Sequence, residues 1–397
     1  MKRKEDYVYL DYAATTPMDE RVIEVIDAHL RETFGNSSSV HSIGQKAADV
    51  LENSRKEIAP LINAGHSEIF FTSSGTEADN LGILGVARKN KKNGNHIITT
   101  SIEHHAIENP CKYLEKNGYK VTYLSVDENG MVDLEQLKEK ITDQTILLSI
   151  MTANNEIGTI QPMREIGQIA HDNEVLFHTD AVQAFGKIPI DVDEMNIDLL
   201  SASSHKIYGP KGIGLIYMRN GGRRENGNLY LEPLMYGGGH ENDIRPSTVA
   251  VPLVAGFAKA AELTGEEMEE EKARQIELRD NIISTITSEI DGSFLNGHPT
   301  KRLPNNVNLT VNHIDGESIV LDLDTEGIGV STGSACSSES SNPSHVLKAI
   351  GLNDHEAQGS LRITIGRFTT EREIEYLFET LPKVVTRLRE MSPFKGK

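Results

Sequence analysis

The sequence predicts an α/β fold, with a mostly parallel central sheet carrying helices on both faces and a smaller α+β unit after it. Three observations predict this. Between about residues 68 and 218, short apolar runs bounded by polar or glycine residues alternate with helical patterns. The residues able to do chemistry fall just after those runs, at the strand ends where ligands gather in such sheets. Beyond residue 253, a long helical stretch leads into a second, shorter set of strands and helices.

The elements follow in order. Residues 7–12 alternate like a short strand, and residues 13–17 form a turn into a helix over 19–34. A loop at 35–39 precedes His41 and a helix to about 62. Strands are expected at 68–73, 96–102, 120–126, 145–151, 175–179, 198–203 and 212–218. Helices are expected at 77–89, 105–117, 134–140 and 163–173. Residues 219–248 are rich in glycine and read as loop. The helix over 253–290 carries an acidic run, 266–271, expected to be a solvated face. The second unit reads as strand 306–311, helix 316–324, strand 329–331, helix 343–350, strand 360–365 and helix 370–391. The expected division is a large domain over 15–260 and a small one over 261–397, with residues 1–14 packed on the small one.

Composition narrows the function classes. The 397 residues carry 40 Lys and Arg against 59 Asp and Glu, a net charge of −19. Without a basic stripe, nucleic acid is not expected as the main ligand. No apolar run approaches the roughly 20 residues that span a bilayer, and residues 1–6 lack the apolar core of a signal peptide, so a cytoplasmic protein with no membrane partner is expected. The two cysteines, Cys111 and Cys336, lie far apart with no CxxC. That spacing offers no self-contained zinc site, and a disulfide is not expected in a reducing compartment.

One stretch concentrates the chemistry. Residues 201–212 end a strand with small hydroxyl residues, then His205 and Lys206, then a glycine-rich turn. A lysine held there can form an imine with an aldehyde cofactor, although an isolated lysine is usually a solvated surface group. The other strand ends supply the rest of a site. Gly75 and Thr76 open a helix and can face an anion, or serve as an ordinary helix cap. No dinucleotide or NTP glycine pattern occurs at that turn. His104 can stack on a planar ring or move protons as a catalytic residue, or simply cap the next helix. Asn154 and Asn155 can orient a polar ligand. Asp180 ends an apolar strand and needs a cationic partner, which a protonated pyridine nitrogen would supply; a helix N-cap or, less well without clustered carboxylates, a metal ligand is the alternative, and Gln183 can donate to a ring oxygen. An anion cradle of Gly75, Thr76, Ser203 and His205, a ring neighbour in His104, an acid in Asp180 and a strand-end lysine in Lys206 together describe a pyridoxal phosphate site, with Ser204 also expected to bind the cofactor.

Two further residues stand outside that set. Cys336 lies in a Ser/Gly-rich loop, where a thiolate can act as a nucleophile. Arg362 is a single charge inside an apolar strand; it calls for a carboxylate, either that of an amino-acid substrate or an internal one.

These motifs resemble the cysteine desulfurases of the NifS/IscS type, in the class V aminotransferase group of fold-type I pyridoxal phosphate enzymes. The resemblance runs over nearly the whole chain. It rests on residues 10–17, 35–41 and 73–78, Glu103-His104, residues 154–159 and 178–183, Ser204-His205-Lys206, residues 209–212, Ser334-Ala335-Cys336 and Gly366-Arg367-Phe368. It implies that Lys206 holds the cofactor covalently and moves protons at the substrate Cα. Asp180 would pair with the ring nitrogen, Gln183 with the ring oxygen, and His104 would stack on the ring. Thr76, Ser203 and His205 would hold the phosphate, with Gly75 nearby. Thr248 would reach the phosphate of a second subunit, making a homodimer. Asn155 and Arg362 would orient the amino-acid substrate. Cys336 would take sulfur from L-cysteine as a persulfide, leaving alanine, and pass it to an acceptor such as an iron–sulfur scaffold protein. The same resemblance allows Cys336 to serve as a shared iron–sulfur ligand. A selenocysteine lyase on the same fold, or a non-catalytic cluster scaffold, is the alternative. The chain departs from the family pattern Arg-x-Gly-Thr at Arg245-Pro246-Ser247-Thr248, where serine stands in the glycine's place.

Overall fold

The computed structural model describes residues 7–224, 226–333 and 343–391. A two-residue strand β1 (Val8–Tyr9) comes first. The central sheet follows: β2 (Ile69–Thr72), β3 (His96–Thr100), β4 (Lys120–Leu124), β5 (Thr145–Ser149), β6 (Leu176–Asp180), β7 (Leu199–Ser203) and β8 (Gly214–Met218). Their spatial order is β2-β8-β7-β6-β5-β3-β4. Only β8 runs antiparallel, to both β2 and β7; the other pairings are parallel. The expected mostly parallel sheet is therefore present.

Alternation along the strands explains the two covered faces. Ile98, Leu148, Leu200 and Tyr217 pack into one buried cluster with Leu51, Ile166 and Phe257. Their neighbours Ile97, Leu147, Leu199 and Ile216 pack into a second with Ala78, Val86, Ile107 and Cys111. Successive strand residues point to opposite faces, so apolar side chains on both require helices on both. Cys111 is a buried core residue, and burial pushes its thiol pKa up to about 12.

A three-stranded antiparallel sheet, β12-β10-β9, forms from β9 (Ser293–Leu295), β10 (Asn306–Val311) and β12 (Ser360–Thr364). The strand β11 (Ile328–Gly329) pairs in parallel with β1. Val8 and Leu10 join the cluster of Val307, Leu309, Leu361 and Ile363. The helix Val251–Glu289 serves both units: its Val254 and Phe257 lie in the first cluster, its Leu278 and Ile282 in this one. Among the described residues, no helix is long and apolar enough to cross a membrane.

The structure corrects several expectations. The helix expected over 77–89 is interrupted by a π-helical turn, Leu81–Gly85. There a Cβ on Gly82 would lie 2.8 Å from Cδ2 of His178, so the wide turn and the missing side chain together admit that ring. The N-terminal strand shrinks from 7–12 to Val8–Tyr9. The acidic run is not all solvated. Glu267 pairs with Arg21 at 3.0 Å and with Arg367 at 2.8 Å, while Glu271 pairs with Arg274 at 2.9 Å. Arg274 in turn donates to the carbonyls of Gly366 and Thr369. This strip of helix thus ties the N-terminal helix to the loop after β12. The strand Ser293–Leu295 and the helix Asp354–Gln358 were not expected from the sequence.

Candidate active site

The parallel strands bring their carboxyl ends to one edge, and a cavity of about 300 Å³ opens there. Gly75, Thr76, His104, Asn155, Asp180, Gln183, Ser203, His205, Lys206 and Arg362 all line it. Gathered from segments nearly 300 residues apart, they are brought together by the fold rather than by sequence neighbourhood.

After β2 the chain turns through Ser73 and Ser74 into the helix Gly75–Asn80. The Ser74 hydroxyl accepts from the Glu77 N–H at 3.1 Å, so Ser74 is the cap and Thr76 lies within the first turn. A Cβ on Gly75 would stand 2.7 Å from Cγ2 of Val182 and 3.5 Å from Cβ of Ser203. Only glycine lets this turn close on those two strand ends. Ser74, Gly75 and Thr76 of this turn line the cavity.

His104 both caps a helix and lines the cavity. Its Nδ1 accepts from the Ala106 N–H at 3.1 Å, which leaves the proton of the neutral ring on Nε2. Burial holds its pKa below the ordinary imidazole range, with Asp180 pulling the other way. His205 is also neutral: burial and the charges of Lys206 and Lys211 push its pKa down to about 4, and its Nδ1 lies 3.1 Å from the Thr15 hydroxyl. Neutral rings suit roles as donors and as flat surfaces.

Asp180, at the end of β6, is buried, and its Oδ1 accepts from the Val182 N–H at 2.9 Å. Burial raises its pKa; His104, that N–H and Lys206 pull it down. A carboxylate so placed favours a cation in the cavity. The Lys206 ammonium donates to the carbonyls of Ala13 at 2.5 Å and Ala14 at 2.8 Å. Those carbonyls come from the N-terminal turn, which the Thr16 hydroxyl fixes by donating to the His205 carbonyl at 2.9 Å.

Arg362, in β12, is 3 % exposed. The internal carboxylate that its burial calls for is present. Arg362 forms an internal ion pair with Asp11 at 2.9 Å, and its Nη1 donates to the carbonyls of Asn155 at 3.1 Å and Gly333 at 3.2 Å. Its Nε is buried without a hydrogen-bond partner. A guanidinium has five N–H donors, of which these contacts use three.

Ser204 does not line the cavity. Its Oγ lies 2.0 Å from where a Gly209 Cβ would stand, so the side chain fills the following turn, and the cofactor-binding role expected for it is not supported. Thr248 is exposed and stands apart from this cavity. Cys336 lies outside the described residues. The described residues flanking it reach the site: Gly333 lines the cavity, the Ser344 hydroxyl donates to Glu156 Oε2 at 2.6 Å, and His345 Nε2 lies 2.9 Å from the Glu103 carbonyl. Among the described residues, no group of three or more His, Cys, Asp and Glu could hold a metal ion.

Some participants escaped the sequence reading. Asp79 lines the cavity and is buried, its Oδ1 without a hydrogen bond and 3.8 Å from His178 Nε2; burial and Asp180 raise its pKa. It follows Thr76 by three residues on the same helix, a spacing that places both on one face. The carbonyls of Ala13 and Ala14 carried no signal, because a backbone acceptor has no residue type. Pyridoxal phosphate fits the residues present: a glycine turn that a side chain would fill, a buried acid, a lysine at a strand end, neutral imidazoles and a spare arginine donor.

A family model described as aminotransferase class-V matches residues 8–377. Over 97% of its length the chain is 50% identical to cysteine desulfurase IscS 1 of Archaeoglobus fulgidus, covering 98% of that protein. It is 48% identical to cysteine desulfurase IscS of Dictyoglomus turgidum, over 100% of this chain and 98% of that one. Among solved structures, a NifS-like protein superposes with a TM-score of 0.89 at 37% identity, over 96% of this chain and 100% of that one. The apo structure of a cysteine desulfurase from Thermococcus onnurineus gives 0.85 at 26% identity, over 96% of this chain and 95% of that one. The chain belongs to the class V aminotransferase family.

Proposed function

We propose that this protein is a pyridoxal phosphate-dependent cysteine desulfurase, which converts L-cysteine to L-alanine and passes the sulfur through Cys336 to an acceptor. The observation that carries the reading is the single cavity holding Lys206, buried Asp180 and Arg362 together.

Bound there, pyridoxal phosphate supplies an electron sink next to the substrate Cα, which weakens the Cβ–S bond. The chain's own residues do the rest. Thr76, Ser203 and His205 hold the phosphate beside the Gly75 turn. Asp180 keeps a positive charge on the ring nitrogen, Gln183 donates to the ring oxygen, and the flat face of His104 covers the ring. Arg362 and Asn155 orient the substrate, Arg362 by binding the α-carboxylate with its remaining donors. Lys206 holds the proton exchanged at Cα. The substrate C–S bond breaks and an S–S bond forms on Cys336; the carbon keeps the electron pair and takes a proton, so alanine leaves.

The partners are part of the same proposal. An iron–sulfur scaffold protein is the expected acceptor. A second copy of the chain is expected to receive Thr248 at its phosphate site, a reading supported by the exposure of Thr248 away from its own cavity.

Alanine formation from L-cysteine with a reducing thiol, measured beside the visible absorbance of the bound cofactor, tests the reading. Wild type should show both. Lys206→Ala should lose turnover, and Cys336→Ala should keep the absorbance while losing persulfide transfer. Full turnover by Cys336→Ala, or by wild type free of cofactor, would overturn it.

A further inference from the structure

Next to the residues that line the cavity lies a half-buried cation. Lys187 follows Gln183 by four residues, in the turn after β6. Its ammonium donates to the Gln183 carbonyl at 3.1 Å and to the Gln183 side-chain Oε1 at 3.2 Å. While protonated, Lys187 has donors only, so the amide oxygen of Gln183 faces it and the NH₂ faces away. That NH₂ donates to the Ala13 carbonyl at 2.9 Å, the same carbonyl that accepts from Lys206. Lys187 and Lys206 also share the lining of a second, narrow cavity of about 30 Å³, with Tyr12 and Thr16. Burial, and then the charge of Lys206, push the pKa of Lys187 down to about 7, so its position is costly for a cation.

We propose that Lys187 is a positioning residue, which fixes the side-chain amide of Gln183 so that it presents a donor, never an acceptor, to the ring oxygen of the cofactor. The proposal rests on the pyridoxal phosphate reading of the site. The flipped amide would set NH₂ against the ammonium and its oxygen against the Ala13 carbonyl, two repulsive contacts in a buried place. Without Lys187 the amide loses one of the two groups that discriminate between the orientations, leaving only the Ala13 carbonyl, which also accepts from Lys206. A flipped oxygen would then face the ring oxygen and oppose negative charge on it.

The test uses purified holoenzyme. Lys187→Met keeps the stem and removes the donors. Its far-UV circular dichroism should match wild type, and the pH midpoint of the bound cofactor's visible band should shift. Loss of a charged hydrogen-bond donor should lower kcat about tenfold while leaving KM within about twofold. Lys187→Arg, which keeps the donors, should restore most of both readouts, and Lys187→Gln should fall between. In a Gln183→Ala background, Lys187→Met should change neither the band nor kcat, because the residue it acts through is gone. A Lys187→Met enzyme with wild-type midpoint and kcat, or one whose effects persist in the Gln183→Ala background, would overturn the proposal while leaving the reading of the site intact. Wild-type protein that takes up no pyridoxal phosphate would overturn the reading of the site, and the role of Lys187 with it.

Discussion

Ser247 is the sharpest test of the backbone argument. It has φ +123°, in the region that favours glycine, and the family pattern places glycine at this position. The residues before it hold the chain in place. Arg245 pairs with Glu77 at 2.9 Å, and Pro246 is buried against Gly237. Ser247 itself is exposed, so replacing its side chain costs no packing. An L residue held in such a region carries about 1–3 kcal/mol of strain. Ser247→Gly removes that strain but widens the unfolded ensemble, at a cost of about 0.5–1 kcal/mol. The net expectation is a stabilisation centred on about 1 kcal/mol, within a span of about 0–2.5 kcal/mol, which in a chain of 397 residues is a rise in Tm of about 1 °C and at most about 3 °C. Thermal and urea unfolding of holoenzyme at fixed protein and cofactor concentration measure it. Ser247→Ala is the control, since it removes the hydroxyl and keeps the Cβ; it should leave Tm unchanged. If Ser247→Gly is no more stable than wild type, or Ser247→Ala gains as much, the strain argument fails.

Two further outcomes are expected. Arg362→Lys keeps a charge beside Asp11 but loses the planar fork, so KM for L-cysteine should rise about tenfold or more with a smaller change in kcat; an unchanged KM would remove Arg362 from substrate binding. Burial raises the Glu103 pKa to about 8, while Thr100 and the Met151 N–H partly offset it. Between the usual carboxylate range and pH 8 the folded state therefore holds a proton that the unfolded state has released, and stability falls as pH rises through that window. Urea midpoints at pH 6 and pH 8 should converge in Glu103→Gln relative to wild type, and an identical slope in both proteins would show that Glu103 does not titrate there.

The sequence by itself determined the central strands and their order of use. Their apolar runs are local, and the functional residues follow them directly in the chain, so Thr76, His104, Asp180 and Lys206 could be picked out before their meeting place was known. It also marked Arg362 as a charge in need of a partner, but not which one, and the fold supplies Asp11 as well as the cavity. Short elements such as Ser293–Leu295 escaped notice because three residues carry too little periodicity to stand out. The π turn at Leu81–Gly85 escaped because its cause, the His178 ring, lies on a strand almost a hundred residues later. Glu267 reads as solvated because its partners, Arg21 and Arg367, come from distant segments; Glu271 pairs with Arg274 on its own helix, and packing then sets that arginine on the Gly366 and Thr369 carbonyls. The tertiary structure alone decided that the carbonyls of Ala13 and Ala14 meet Lys206, and that Lys187 turns the amide of Gln183. Patterning reports which face of an element is buried, whereas the orientation of a polar group depends on what the rest of the chain places opposite it.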